Sequence, residues 1–213
     1  KMATPSTYKG FTFKLGRSIN YAECHDNYTL FDKLAMSYLG VKEYSGDLFS
    51  AIGSKGLEEV KKQDKLAAAY LFLAQGTPFI NGGQEFLRTK QSDENSYSSS
   101  DTINQIDMSF KTKYSDVYNV YKGLIALRKA NPDAFCITNT AATANETTAS
   151  VVSEGVTKYT IGDFCVFFNA TDAAATIQTT GYTKVVDVTS GTPSESTTLP
   201  SSVAAKGFVI LKK

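Results

Sequence analysis

Near Pro132 the sequence changes its period, and that change limits what the chain can fold into. Before it, apolar residues recur at helical spacing: Leu57, Val60, Leu66, Tyr70 and Leu73, then Val117, Val120, Tyr121, Leu124 and Leu127. After it come short apolar runs at 151–152, 159–161, 164–168, 183–188 and 207–211, separated by clusters of Gly, Asn, Asp and Ser. That is the pattern of an antiparallel β-sandwich. A boundary at 131–133 follows, with an α/β segment over 1–132 and an all-β segment over 133–213.

Within the first segment, Ile19, Tyr21 and Ala22 read as a short buried strand. Thr29, three residues before Asp32, reads as the cap of a helix with Leu30, Leu34 and Tyr38 along one face. Strand, polar tip and helix make one βα unit. Where such units close into a parallel barrel, reactive side chains lie at the carboxyl ends of the strands, and His25 and Asp26 fall there. The residues at 7–16 read as an irregular lead-in, and Gly46, Gly53 and Gly56 predict a loop over 40–56 without a long regular element.

The helix over 57–74 is stopped by Gly76, with Pro78 just beyond. Phe79 and Ile80 then read as a second short buried strand, and Gly82-Gly83 as a tight turn into a long polar loop over 84–113. That loop holds Glu85, Arg88, Lys90, Asp93, Asn95, Tyr97, Asp101 and Asn104, and loops of this length are usually functional or disordered. Ser115 is expected to cap the next helix, with Asp116 in its first turn. Arg128 and Lys129 fall in the last turn, where the dipole favours cations, and Pro132 ends it. Strand, helix, strand, helix fits the last quarter of a barrel. A whole (β/α)8 barrel takes roughly 250 residues, more than the first segment holds.

The chain has 213 residues, 42% hydrophobic and 20% charged, with a net charge of +1. Such a balance gives no electrostatic reason to invoke nucleic acid or an anionic membrane surface. No apolar run is long enough to span a bilayer as a helix. Cys24, Cys136 and Cys165 are odd in number, lack C-x-x-C spacing and read as buried small hydrophobes. Lys1-Met2-Ala3 has no apolar signal core and reads as the edge of something longer, so localisation is not written in these residues. The run at 140–148 reads as a solvated loop.

Two stretches carry a resemblance to a known family. Asn20-Tyr-Ala-Glu-Cys-His-Asp26-Asn27 is similar to the last signature of the α-amylase superfamily of glycoside hydrolases, at the end of the seventh barrel strand. The longer run from Asp64 through Gly83-Gln-Glu85-Phe-Leu-Arg88-Thr-Lys90, with Asp93-Glu-Asn95-Ser-Tyr97 and Asn104-Gln-Ile-Asp107, resembles type I pullulanases. These are bacterial enzymes that cut α-1,6 branches of pullulan, starch and glycogen. The resemblance spans about Ile19 to Pro132, and the GQEF-RTK run is far more specific than the His-Asp pair.

The resemblance implies the last part of a (β/α)8 barrel, strands seven and eight with their helices, followed by a C-terminal antiparallel β-sandwich. It implies retention at the anomeric carbon, with Asp26 as transition-state stabiliser and His25 hydrogen-bonded to the sugar beside the scissile bond. The nucleophile and the acid/base belong to the fourth and fifth strands, and neither motif occurs in this sequence. The implied partners are an α-glucan and the N-terminal remainder of the enzyme. No cofactor is expected, any calcium site lying in that remainder, and the implied setting is a bacterial protein that is secreted, at the cell surface or cytoplasmic.

In the long loop, Glu85, Arg88, Asn95 and Tyr97 are expected to contact sugar or the groups that do, since Arg and Asn donate to hydroxyls and Tyr offers a flat apolar face. Lys90 and Asp93 fit an ion pair that pins the loop equally well, and Asn104 and Asp107 fit ordering of its return. Phe164, Phe167 and Phe168 read as core. Cys24, His25 and Asp26 do not make a catalytic triad or a metal site, because successive strand residues point to opposite faces. Two alternatives stand beside this reading: a non-catalytic carbohydrate-binding or structural fragment, and another α-amylase relative such as an isoamylase or branching enzyme.

Overall fold

A computed structural model describes residues 18–136 and 147–213. The expected edge at 1–3, the lead-in at 7–16 and most of the loop at 140–148 lie outside the described residues. The first strand, β1 (Ile19–Asn20), leads through a polar turn into α1 (Leu30–Leu39). Thr29 caps that helix as expected, its Oγ1 accepting from the Asp32 amide at 3.1 Å, and Gly40 closes it at φ 71°. The buried residues are Leu30, Phe31, Asp32, Ala35 and Met36. Of the expected stripe, Leu30 is buried and Leu34 packs half-buried against the core, whereas Tyr38 at its end is 40% exposed.

The loop expected over 40–56 holds as far as Asp47 and then gives way to a helix. Asp47 accepts from the Phe49 amide at 2.9 Å and starts α2 (Leu48–Leu73), which is interrupted at Gly53 by non-helical backbone (φ 61°, ψ −173°). Burial of Leu48 and Ile52 outweighs the cost of glycine in a helix, roughly 1 kcal/mol per residue. At the far end, Arg128 is buried. Its guanidinium donates to the carbonyls of Phe72 (2.7 Å), Ala74 (2.7 Å) and Gly76 (2.6 Å). The charge expected to complement the dipole of its own helix thus satisfies carbonyls at the end of α2 instead.

After α2, β2 (Thr77–Pro78) pairs parallel with β1, Ile19 opposite Thr77 and Asn20 opposite Pro78. Both strands were expected to be buried and the second at 79–80. Instead Ile19, Tyr21 and Phe79 are 62%, 60% and 43% exposed. Each strand has one neighbour among the described residues, and a parallel sheet is normally covered on both faces and flanked by further strands. Tyr21 and Phe79 meet edge to face at 6.2 Å.

The long loop contains 3-10 turns at Gln84–Phe86 and Ser96–Ser98 and two short helices, α3 (Asp101–Asn104) and α4 (Ser109–Lys113). Helix α5 (Ser115–Ala130) has Ser115 as its first residue rather than its cap; Tyr114 precedes it, with no side-chain capping bond. Its expected face, Val117, Val120, Tyr121, Leu124 and Leu127, is buried. Pro132 opens the single turn α6 (Pro132–Phe135), where its missing N–H is no loss.

The remaining strands are β3 (Thr148–Ser153), β4 (Val156–Ile161), β5 (Phe164–Asn169), β6 (Ala175–Thr176), β7 (Lys184–Asp187), β8 (Ser194–Ser196), β9 (Ser202–Val203) and β10 (Gly207–Lys212). Six form one antiparallel sheet in the order β3-β4-β5-β10-β7-β8, while β6 and β9 pair separately. Every residue of β5 is buried, because it lies between two cores. Phe164, Val166 and Phe168 join the helices, with Tyr70 stacked on Phe168 at 3.9 Å between ring centres, whereas Cys165 and Phe167 pack with Ile177 and Val203. Helix α5 approaches so closely that a Cβ at Gly123 would lie 2.1 Å from the Val188 carbonyl oxygen.

The larger core is continuous across Pro132, joining Leu73, Tyr121 and Phe135 to Tyr159, Phe168 and Ile210. All three cysteines are free, but only Cys165 is buried; Cys24 is half-buried and Cys136 exposed, which corrects the expectation for those two. No helix among the described residues is long and apolar enough to cross a membrane.

Candidate functional site

The chain leaves β1 through Glu23, Cys24, His25 and Asp26 and turns into α1 at Asn27, whose φ of 66° is one that Asn tolerates. The turn holds the His25 and Asp26 side chains in the open, 86% and 77% exposed, with His25 Nε2 3.4 Å from Asp26 Oδ1. They face a cleft of about 170 Å³. Arg88, Asn95 and Tyr97 line it too, so five of the six expected site residues come together.

Glu85 does not join them. Its Oε2 accepts from the Gly83 amide at 3.0 Å and so braces the turn after β2. Arg88 serves two purposes: it lines the cleft, and its guanidinium donates to the carbonyls of Gly82 (3.2 Å) and Asn104 (2.6 Å). Asn104 in turn donates to the carbonyls of Ser96 (2.7 Å) and Ser99 (3.0 Å), while Asp93 accepts from the Asn95 amide and the Ser99 hydroxyl. Those bonds tie 82–104 into one unit, and the Ser99 and Asn95 donors hold the Asp93 carboxyl below its ordinary range. Tyr97 is left 86% exposed, a large ring held in solvent.

Asn81, Lys90, Glu94, Ser96 and Asn104 also line the cleft. Beneath it lie buried ionisable groups. Asp32, fully buried in α1, accepts from Thr89 Oγ1 (2.5 Å), the Lys90 amide (2.8 Å) and the Ser92 amide (3.3 Å). Its place three residues after Thr29 is a signal, but one that points to a local cap rather than to a bond across the fold. Burial raises the Asp32 carboxyl even against these donors.

Glu23 is buried too and accepts the Leu30 amide, while its other oxygen has no partner among the described residues. Burial pushes its carboxyl up to about 7, outweighing the Leu30 amide, Asn81 and Arg88. Deeper, Gln84 Nε2 donates to the Tyr121 hydroxyl (3.1 Å), which donates to Asp64 Oδ1 (2.9 Å). Complete burial pushes Asp64 up to about 8, the Tyr121 bond notwithstanding. Among the described residues no three His, Cys, Asp or Glu side chains group in a way that could hold a metal ion.

The cleft is thus an exposed carboxylate and imidazole on one turn, facing a loop that offers donors and one bare aromatic ring. Such a surface can hydrogen-bond vicinal hydroxyls and stack against a flat apolar face.

No family model matches the chain. Pullulanase from Bacillus subtilis (strain 168) is 42% identical over 116 residues, which cover 54% of this chain and 14% of that protein. Isoamylase from Pseudomonas amyloderamosa is 30% identical over 129 residues, covering 54% of this chain and 17% of that protein. The crystal structure of a pullulanase from Anoxybacillus sp. LM18-11, complexed with maltotetraose, superimposes with a TM-score of 0.72 at 29% identity, over 95% of this chain and 28% of that one. The chain therefore spans between 14% and 28% of the lengths of these three relatives. Sequence and fold together relate it to the C-terminal part of the type I pullulanases.

Proposed function

We propose that the chain is the end of a debranching glycoside hydrolase that cleaves α-1,6-glucosidic bonds in pullulan, starch or glycogen with retention. In this reading residues 1–132 supply the last two strands and helices of a (β/α)8 barrel and 133–213 a terminal β-sandwich, the two sharing the core that runs across Pro132. The observation that carries it is the gathering of His25, Asp26, Arg88, Asn95 and Tyr97 in one cleft at the carboxyl ends of β1 and β2.

Asp26 binds ring hydroxyls and favours the distorted, oxocarbenium-like transition state; His25 donates to the sugar beside the scissile bond. Arg88 and Asn95 donate to outlying hydroxyls, and Tyr97 stacks on a neighbouring ring. A retaining enzyme also needs a nucleophile and an acid/base whose carboxyl groups lie about 5–5.5 Å apart. Both come from an upstream part of the polypeptide, whose strands pair beside β1 and β2 and cover Ile19, Tyr21 and Phe79. No cofactor enters the reaction, and any calcium belongs to that upstream part.

The test is Asp26→Asn in the intact enzyme assayed on pullulan. The expected result is a loss of kcat of about 10³-fold or more with the melting temperature unchanged, as for removal of a group that acts in the transition state. Near-normal turnover would refute the assignment. The similarity to an isoamylase favours a second reading, in which glycogen is preferred to pullulan; the ratio of the two rates decides between them.

A further inference from the structure

We infer that Lys90 is a positioning residue for the His25–Asp26 turn, acting through the His25 carbonyl; this rests on the role proposed for Asp26. Lysine is almost never buried without a partner. Lys90 is 2% exposed, and its Nζ donates to the His25 carbonyl oxygen at 3.0 Å. Among the described residues no carboxylate lies within ion-pair distance of that ammonium. Its charge is spent on the peptide unit that joins His25 to Asp26. Holding that carbonyl fixes the backbone torsions on either side of it, and with them the direction in which the Asp26 carboxylate leaves the chain.

Lys90 is itself held from the other side. The buried carboxylate of Asp32 takes its amide, the Ser92 amide and the Thr89 hydroxyl. Gln91 and Ser92, neither of them glycine, are both in the left-handed region (φ 53° and 64°), folding the loop back onto Asp32. Such conformations persist where the surroundings over-determine them. Asp32 sits in the first turn of α1, the helix that the His25–Asp26 turn enters, so the contacts close a ring: turn, α1, Asp32, Lys90, turn. The Asn81 amide donates to the Cys24 carbonyl at 3.4 Å, and Glu23 accepts the Leu30 amide across the base. Both side chains of the exposed pair are therefore aimed by a fastened backbone rather than by side-chain packing.

The inference is tested in the intact enzyme with pullulan by comparing Lys90→Met, Lys90→Arg, Thr89→Val and Asp26→Asn. Lys90→Met keeps the apolar stem and removes the donors. It should lower kcat by about 10²-fold while leaving KM within about twofold, the cost of a displaced reacting group. Lys90→Arg, which restores donors at the same place, should recover part of that loss. Thr89→Val, which loosens Asp32 with almost no change of volume, should lower kcat several-fold at constant KM; it carries the test if Lys90→Met does not fold. Unchanged kcat in both Lys90→Met and Thr89→Val overturns the inference, as does a loss confined to KM, which would make Lys90 a direct sugar contact. If Asp26→Asn is inactive while the Lys90 and Thr89 variants match wild type, only the positioning role fails. If Asp26→Asn retains its rate, the reading of the site fails and the positioning role with it.

Discussion

The two parts of the molecule on either side of Pro132 bury different things. In the helical part the interior holds Glu23, Asp32, Asp64, Lys90 and Arg128, and β1 and β2 leave Ile19, Tyr21 and Phe79 in solvent. In the sheet part the interior is Phe, Val, Ile, Tyr and Leu, and its deepest polar group is the neutral Asn169, whose amide donates to the carbonyls of Ala173, Val203 and Ala204. Burying charge is costly unless it is paired and hydrogen-bonded. The sheet part closes over apolar and neutral groups, while the helical part buries ionisable ones: Lys90 and Arg128 are held by carbonyls, Asp32 by donors, and Glu23 and Asp64 have carboxyls raised by burial.

The sharpest way to break this contrast is Arg128→Met. Hydrogen bonds to a charged group are worth ~1.5–3 kcal/mol each, and losing this one side chain leaves the carbonyls of Phe72, Ala74 and Gly76 without their donor. A loss of about 3 kcal/mol in chemical denaturation is expected. A loss below about 0.5 kcal/mol, the range of ordinary surface changes, would mean that this charge is not structural.

Next in size is the response to pH. An acid whose folded pKa is raised keeps its proton in the folded state where the unfolded chain has released it, so stability is present at low pH and lost as pH rises. Glu23 moves from 4.5 to about 7 and Asp64 from 3.8 to about 8, which sets the window between about pH 4 and pH 8. Carboxyls held low, such as Asp47 and Asp93, act below that window and leave its slope alone. Stability should therefore fall between pH 6 and pH 7.5 by on the order of 3 kcal/mol, and Asp64→Asn should flatten the decline. A rise over that interval would contradict the burial of these groups.

Smallest in stability is Tyr97→Ala. With the residue 86% exposed, the melting temperature should not move, whereas KM for the glucan should rise several-fold in the intact enzyme. An unchanged KM would remove Tyr97 from the site.

What could be read from the sequence followed from local pattern. The Thr29 cap, the buried face of α5 and strands β4, β5 and β10 each declare themselves through a spacing or a single strong residue preference. By contrast β6, β8 and β9 are two or three residues long and lie in Ser- and Thr-rich stretches, too short to show a period. The apolar character of Ile19, Tyr21 and Phe79 was legible, but their exposure depends on how many strands stand beside them, which no local window contains. Within the site, His25, Asp26, Arg88, Asn95 and Tyr97 came from motif resemblance. Lys90, Asp32 and Arg128 did not, because a charge in a polar loop or a helix end looks the same whether it faces water or a distant carbonyl.

In the proposed division of labour this chain handles the glucan while the reacting carboxyls come from upstream. The most direct test of that division is reducing-sugar release from pullulan by the purified 213-residue chain, alone and mixed with the upstream part of the polypeptide. No release above background is expected from the chain alone, and turnover on mixing that Asp26→Asn abolishes. Release by the chain alone, proportional to its concentration, would contradict it.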